Sequence, residues 1–264
     1  MFIHPEFDPI ALSIGPLSIR WYGLMYLFAF VVGGLLASYR ARQPNSGWRV
    51  EEVSDFVFYC ALGVILGGRL GYALFYNFPY YSQHPIEILY VWTGGMSFHG
   101  GLIGVIIALT LYARHTKRPI LSVMDYFVPL CGLGIAAVRI SNFINQELWG
   151  RVTDSPFGMI FPLAGSLPRH PSQLYEALFE GIVLFIILWL YTNKKRAAGK
   201  PGGLFLILYG IARFSIEFVR EPDAHIGFIA FDWMTKGQLL TIPMLVIGLI
   251  LFSGVFSQKS NSSK

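Results

Sequence analysis

Long apolar blocks, separated by short polar connections, set the pattern of this chain. A membrane helix needs roughly 20 mostly apolar residues to cross ~30 Å of hydrocarbon. Residues 21–39, 88–113 and 237–258 meet that need without a single Asp, Glu, Lys or Arg. Four further blocks meet it only with charge inside: 56–77 holds Arg69, 123–143 holds Asp125 and Arg139, 173–193 holds Glu176 and Glu180, and 203–220 holds Arg213 and Glu217. The pattern predicts an all-α polytopic membrane protein in which residues 1–264 form one integral membrane domain. Its seven transmembrane helices are expected at 19–39, 56–77, 93–113, 123–143, 173–193, 203–220 and 237–257. Residues 144–172 are the longest polar connection and read as a small extramembrane cap.

Composition agrees and narrows the class. Charged residues are 13% of the 264, about half the roughly 25% of an ordinary globular chain. Hydrophobic residues reach 54% and mean hydropathy is +0.54, so a soluble fold could not cover its surface. Disorder and a disulfide scaffold are excluded as well. Cys60 and Cys131 lie inside apolar blocks, which leaves no redox framework and no thiolate metal site. No His/Asp/Glu grouping has ligand spacing, so no metal and no cofactor is expected.

A net charge of +5 is low for a nucleic-acid binder, and its distribution says more. Arg40, Arg42, Arg49, Arg114, Lys117, Arg118, Lys194, Lys195, Arg196, Lys200, Lys259 and Lys264 all fall in one alternating set of connections and the C-terminal tail. The opposite set has only Arg20, Arg151, Arg169, Arg220 and Lys236. Cations collect on the cytoplasmic side, so the N-terminus is expected outside and the C-terminus in the cytoplasm. Residues 1–19 carry no Lys or Arg, hence no basic region of a cleavable signal peptide.

Glycines recur at small-xxx-small spacing: Gly63, Gly67 and Gly71, then Gly100 and Gly104. Plain helix packing accounts for them. The ionisable groups inside the blocks ask for more, because burial in a bilayer is costly and usually marks function. At a rise of 1.5 Å per residue, Tyr22 lies ~5 Å, His99 ~6 Å and Arg69 ~12 Å below the outer ends of their spans. By the same measure Arg139 and Asn142 lie at ~8 and ~3 Å, and Arg213 and Glu217 at ~10 and ~5 Å. All fall in the outward half. Tyr209, Arg213, Glu217 and Arg220 share one helical face within about 80°.

Arg69, Arg139 and Arg213 thus read as three buried cations in one layer, with Glu217 the only span carboxylate near them. That excess favours an anionic ligand, and guanidinium forks suit phosphate. Glu176 and Glu180, four apart beside the cap, are expected to pair with Arg169. Asp125 reads as a helix-start residue. Glu147 is either a surface acid of the cap or a rim residue of the cavity. His99 is a hydrogen-bonder or a base, and Ser97, two residues away on a helix, faces elsewhere.

Six ordered strings then carry a resemblance: Arg-Trp-Tyr-Gly-Leu-Met-Tyr (20–26), Gly-Gly-Arg-Leu-Gly-Tyr (67–72) and Gly-Gly-Met-Ser-Phe-His-Gly-Gly (94–101) come first. The long string Arg-Ile-Ser-Asn-Phe-Ile-Asn-Gln-Glu-Leu-Trp-Gly-Arg (139–151) follows, as do Arg-His-Pro-Ser-Gln-Leu-Tyr-Glu (169–176) and residues 209–223. Together they resemble the prolipoprotein diacylglyceryl transferase family of bacterial inner membranes. Val138 and Ser141 depart from its usual small residues, and the segment 161–168 looks shorter than in some members.

The resemblance implies a seven-helix fold with a periplasmic cap, in which the diacylglyceryl group of phosphatidylglycerol passes to the lipobox cysteine of a prolipoprotein signal peptide and glycerol 1-phosphate is released. The family's essential positions map onto Tyr22, His99, Arg139, Asn142, Glu147, Tyr209, Arg213 and Glu217. Arg139 and Arg213 are then expected to clamp the phosphate, with Arg69, Asn142, Glu147 and Glu217 contributing to the lipid site. His99, Tyr22 or a phosphate oxygen would take the thiol proton. The rival by class is a transporter or channel for an anionic solute. Seven spans do not divide into the equal halves that inverted repeats give.

Overall fold

The computed structural model describes residues 2–15, 17–44, 46–222 and 227–255. Lys259, Lys264, Asp223 and the end of the block at 237–257 lie outside the described residues. The helices are α1 (Trp21–Ala41), α2 (Glu51–Phe75), α3 (Phe78–Gln83), α4 (Phe98–His115), α5 (Ile120–Ile144), α6 (Ser172–Glu176), α7 (Leu184–Tyr191), α8 (Lys200–Ile216) and α9 (Lys236–Ser253). A π-helical turn, Ala177–Val183, joins α6 to α7 in one run, Ser172–Tyr191. Among the described residues, that run, α1, α2, α5 and α9 are the 5 helices long and apolar enough to cross a membrane. α4 and α8, of 18 and 17 residues, stand outside that set. The chain is a mostly helical polytopic membrane protein.

The third block was expected to be helical from residue 93, and the helix starts five residues later. Gly94 and Gly95 have φ of 87° and 74°, conformations that a continuing helix forbids. Ser97 then caps α4 by accepting from Gly100 N at 3.1 Å. His99 therefore stands in the first turn of α4. Asp125 is also corrected: it sits inside α5, and its two oxygens accept from Gly199 N (2.7 Å) and Gly202 N (2.9 Å). It caps the start of α8 from another helix, where Gly199 (φ 88°) has no side chain to do so.

The chain forms two compact units, residues 34–124 and residues 1–33 with 125–264. In the first, α2 and α4 meet along the anticipated glycines. A Cβ on Gly63 would stand 2.7 Å from Gly104 O, and one on Gly71 would stand 2.7 Å from Gly100 Cα, so the backbones touch. At the other end of this pair Trp48 stacks on Tyr112. The Arg118 guanidinium lies 4.3 Å over the Trp48 ring and reaches Glu52 at 2.7 Å.

In the second unit α8 packs on α9 through Gly203 and Gly248, again at backbone distance. Thr235 and Gln238 start α9 with a capping box. Small strands surround the ends of these helices. β1 (Phe2–Ile3) runs parallel to β4 (Met159–Ile160), which pairs antiparallel with β5 (Pro168–Arg169). β2 (Ile10–Ile14) and β3 (Leu17–Arg20) form a hairpin leading directly into α1. β6 (Phe228–Ala230) and β7 (Met234–Thr235) form another, leading into α9.

Candidate active site

The second unit gathers most of the residues singled out by depth. Arg139 projects from α5, Arg213 from α8, and Glu176 and Glu180 from α6 and the π turn. Arg139 Nε lies 3.4 Å from Glu176 Oε2, and its Nη2 donates to Glu180 Oε2 at 3.1 Å. Arg213 Nη1 donates to Glu176 Oε1 at 2.6 Å and lies 3.8 Å from Glu180 Oε1. Its Nη2 meets Glu217 Oε2 at 2.7 Å, and Arg220 Nη1 lies 3.8 Å from that same oxygen. Each of Glu176 and Glu180 therefore touches both guanidiniums. The expectation that Glu217 alone balances the arginines is overturned, as is the pairing of Glu176 and Glu180 with Arg169. Arg169 reaches Glu221 (3.2 Å) and Gly150 O (3.2 Å) instead.

Packing explains how two glutamates reach the arginines. A Cβ on Gly181 would stand 2.6 Å from Ala136 Cβ, so α5 and the π turn lie backbone to backbone where the carboxylates emerge. A π turn re-phases the residues after it and is frequent at functional sites. Glu176 and Glu180 lie inside a span in the sequence pattern, outside the group of residues whose depth marks the outward layer. Their i, i+4 spacing within an apolar block was the available signal. Glu217 is anchored from behind by Thr235 Oγ1 at 2.7 Å. Gly237 makes room for it, since a Cβ there would lie 2.5 Å from Glu217 Oε1.

A second group adjoins Arg139 one turn along α5. Asn142 Nδ2 donates to the Tyr22 hydroxyl, which donates to Glu147 Oε2 at 2.6 Å. Glu147 sits between Gln146 (φ 52°) and Leu148 (φ 59°). Left-handed backbone at a non-glycine residue costs about 1–3 kcal/mol and is retained at functional sites. The loop is held by Gln173 Nε2 on Glu147 O (2.6 Å) and Ser172 Oγ on Leu148 O (2.8 Å). Gly150 threads between two other segments of the chain, where a Cβ would meet Val219 O at 2.5 Å and His170 O at 2.7 Å. Burial pushes the His170 imidazole below its ordinary range. Ser141 spends its hydroxyl on Val138 O (2.7 Å) within its own helix.

Tyr209, in α8, stacks on Phe205 with ring centroids 5.8 Å apart, and among the described residues its hydroxyl makes no hydrogen bond. In the other unit His99 is exposed, with Phe98 as its ring neighbour at 5.5 Å. Arg69 has another occupation altogether. Its Nε donates to Ile88 O (2.9 Å) and its Nη2 to Glu87 O (2.7 Å) and Thr93 Oγ1 (3.2 Å). Its Nη1 donates to Gly94 O and Gly95 O. A guanidinium has five N–H donors, and protein oxygens take all of them.

These features define a class: a polytopic membrane protein with a charge-balanced arginine–glutamate cluster in one helical unit, buttressed by a strained loop. Residues 9–253 match the family model described as prolipoprotein diacylglyceryl transferase. The chain belongs to the prolipoprotein diacylglyceryl transferase family. A protein of Oleidesulfovibrio alaskensis named phosphatidylglycerol–prolipoprotein diacylglyceryl transferase is 57% identical over 251 residues, covering 95% of this chain and 94% of its own. Proteins of the same name in Coxiella burnetii and Francisella tularensis are 54% and 52% identical over 248 and 257 residues. Those matches cover 94% and 97% of this chain, and 95% and 96% of the relatives.

Proposed function

We infer that this chain is the transferase its relatives are named for, moving the diacylglyceryl group of phosphatidylglycerol onto prolipoproteins in bacterial lipoprotein biosynthesis. The observation that carries the reading is similarity over nearly the whole chain, at 57% identity, with the family's arginine, asparagine and glutamate positions held together in one helical unit. The acceptor is the lipobox cysteine thiol of the signal peptide, and glycerol 1-phosphate leaves. The enzyme sits in the bacterial inner membrane as one integral domain of seven spans, α4 and α8 included. Its N-terminus and the cap at 144–172 are periplasmic and its C-terminus is cytoplasmic.

The chemistry follows from the groups present. The thiol sulfur bonds to the terminal glycerol carbon of the diacylglyceryl group while the bond from that carbon to the phosphate oxygen breaks. The electron pair leaves on the phosphate oxygen, where Arg139 and Arg213 stabilise the developing charge in a site of low dielectric. Asn142 and Tyr209 add hydrogen bonds to the lipid, Glu217 orients Arg213, and Glu147 holds Tyr22. A thiol of pKa ≈ 8.5 must shed its proton to attack, and the role assigned to the exposed imidazole of His99 is to accept or relay it. Because loop oxygens take its donors, we give Arg69 no role at the phosphate and assign it to shaping the loop before α4.

The test is direct. Purified protein is mixed with phosphatidylglycerol and a lipobox peptide, and the peptide is weighed by mass spectrometry. A diacylglyceryl adduct on cysteine is the expected outcome. An unmodified peptide, with phosphatidylglycerol unconsumed across several lipid conditions, refutes the reading.

A further inference from the structure

We propose that Glu176 and Glu180 are positioning residues that hold Arg139 and Arg213 as a charge-neutral pair, so that the site binds phosphate by directed hydrogen bonds and still releases its phosphate product. The inference rests on the reading above, in which the two arginines meet the phosphate of phosphatidylglycerol.

Three observations carry it. Each carboxylate touches both guanidiniums, so the four side chains brace one another. Both glutamates are fully buried, with 0% side-chain exposure, whereas Arg139 and Arg213 keep 15% and 12%. A ligand thus meets the cations first, with the carboxylates behind them. The Gly181–Ala136 contact and the π turn fix the glutamates in that rear position.

Charge then decides what the pair can do. The phospholipid substrate is a phosphodiester with one negative charge, whereas a phosphate monoester carries about −1.5 to −2 at pH 7. Without Glu176 and Glu180, the cations Arg139, Arg213 and Arg220 would face Glu217 alone, and that net positive charge in a low-dielectric site attracts the more negative species more strongly. The site would therefore hold the product in preference to the substrate, and release would limit turnover. Two carboxylates cancel that net charge and leave the planar N–H forks, which read phosphate oxygens by geometry. Recognition is separated from net attraction.

The experiment follows transfer from phosphatidylglycerol to a lipobox peptide in mixed micelles, with added glycerol 1-phosphate as product inhibitor. For Glu180→Gln and Glu176→Gln, inhibition should tighten about tenfold, with a lower KM for the phospholipid and a lower kcat. Glu180→Asp, which keeps the charge, should return inhibition to within about threefold of the unsubstituted enzyme. Glutamine variants that fold, with unchanged or weaker inhibition and a raised KM, overturn the proposal.

The unsubstituted enzyme supplies a second measurement that does not depend on variants folding. Glycerol 1-phosphate and its monoanionic methyl ester should inhibit within about threefold of each other at pH 8. A dianion at least about tenfold tighter also overturns the proposal. An unsubstituted enzyme that transfers nothing would sink the functional reading instead. Calorimetric binding of the same two anions then decides the charge-balance proposal by the same threefold and tenfold limits.

Discussion

Two arginine sites, one in each compact unit, show how the same side chain serves different ends inside a membrane protein. Arg69, with 2% exposure, gives its donors to Ile88, Glu87, Gly94, Gly95 and Thr93, and lies 5.1 Å over the Tyr81 ring. Its partners are uncharged oxygens of the segment that precedes α4. Arg139 and Arg213 face carboxylates and keep part of their surface open. Residue type and formal charge do not distinguish the two cases. Partner chemistry and residual exposure do: a guanidinium whose donors are all taken by uncharged loop oxygens is a structural tie, and one balanced by carboxylates with an open side can still meet an anion.

Substitutions can break or sharpen that contrast. The largest effect is expected at Arg139→Lys, because an ammonium cannot reproduce the planar fork. Turnover should drop by about 10³-fold, or ~4 kcal/mol of transition-state stabilisation, with little change in thermal unfolding. Near-normal kcat in that variant would refute the clamp. Arg69→Lys should do the reverse. At least two of its five hydrogen bonds would be lost, costing about 3 kcal/mol of stability, while kcat per folded molecule stays within about threefold. Thermal unfolding in detergent, read beside activity, separates the two outcomes.

Gly150→Ala should come next, at about 2 kcal/mol, because the added methyl meets carbonyl oxygens of Val219 and His170 that cannot retreat cheaply. Since Gly150 follows the strained loop holding Glu147, activity should fall with stability there. Asp125→Ala should be smallest. It removes the cap that α5 lends to α8, costing about 1 kcal/mol and leaving KM for phosphatidylglycerol unchanged. A raised KM would mean that the far end of α8 governs the placement of Arg213.

Much of this arrangement was legible in the sequence, for reasons specific to each element. Apolar block length marked the helices, because lipid demands continuous burial of every backbone group. The glycines at 63, 67, 71, 100 and 104 announced the α2–α4 contact because only missing side chains allow that approach. The stripe of Arg213, Glu217 and Arg220 also held, since i, i+3 and i+4 neighbours on a helix meet wherever the helix goes. What was misjudged involved partners far apart in the chain. Proximity in the chain pairs Glu176 with Arg169, seven residues away, whereas its partners in the fold are Arg139 and Arg213, each 37 residues away. Asp125 was given to its own helix when it serves another, 74 residues on.

Local periodicity and composition alone therefore determined the membrane class, the placement of the apolar blocks, and which charged side chains had to be explained. Those properties depend on each residue's immediate neighbours and on the solvent around the chain. Tertiary structure decided which charge meets which. That choice turns on a π turn, on a glycine pressed against Ala136, and on two left-handed residues around Glu147. The energy of an ion pair depends on ångström-scale distances between helices, and no spacing along a single helix encodes them.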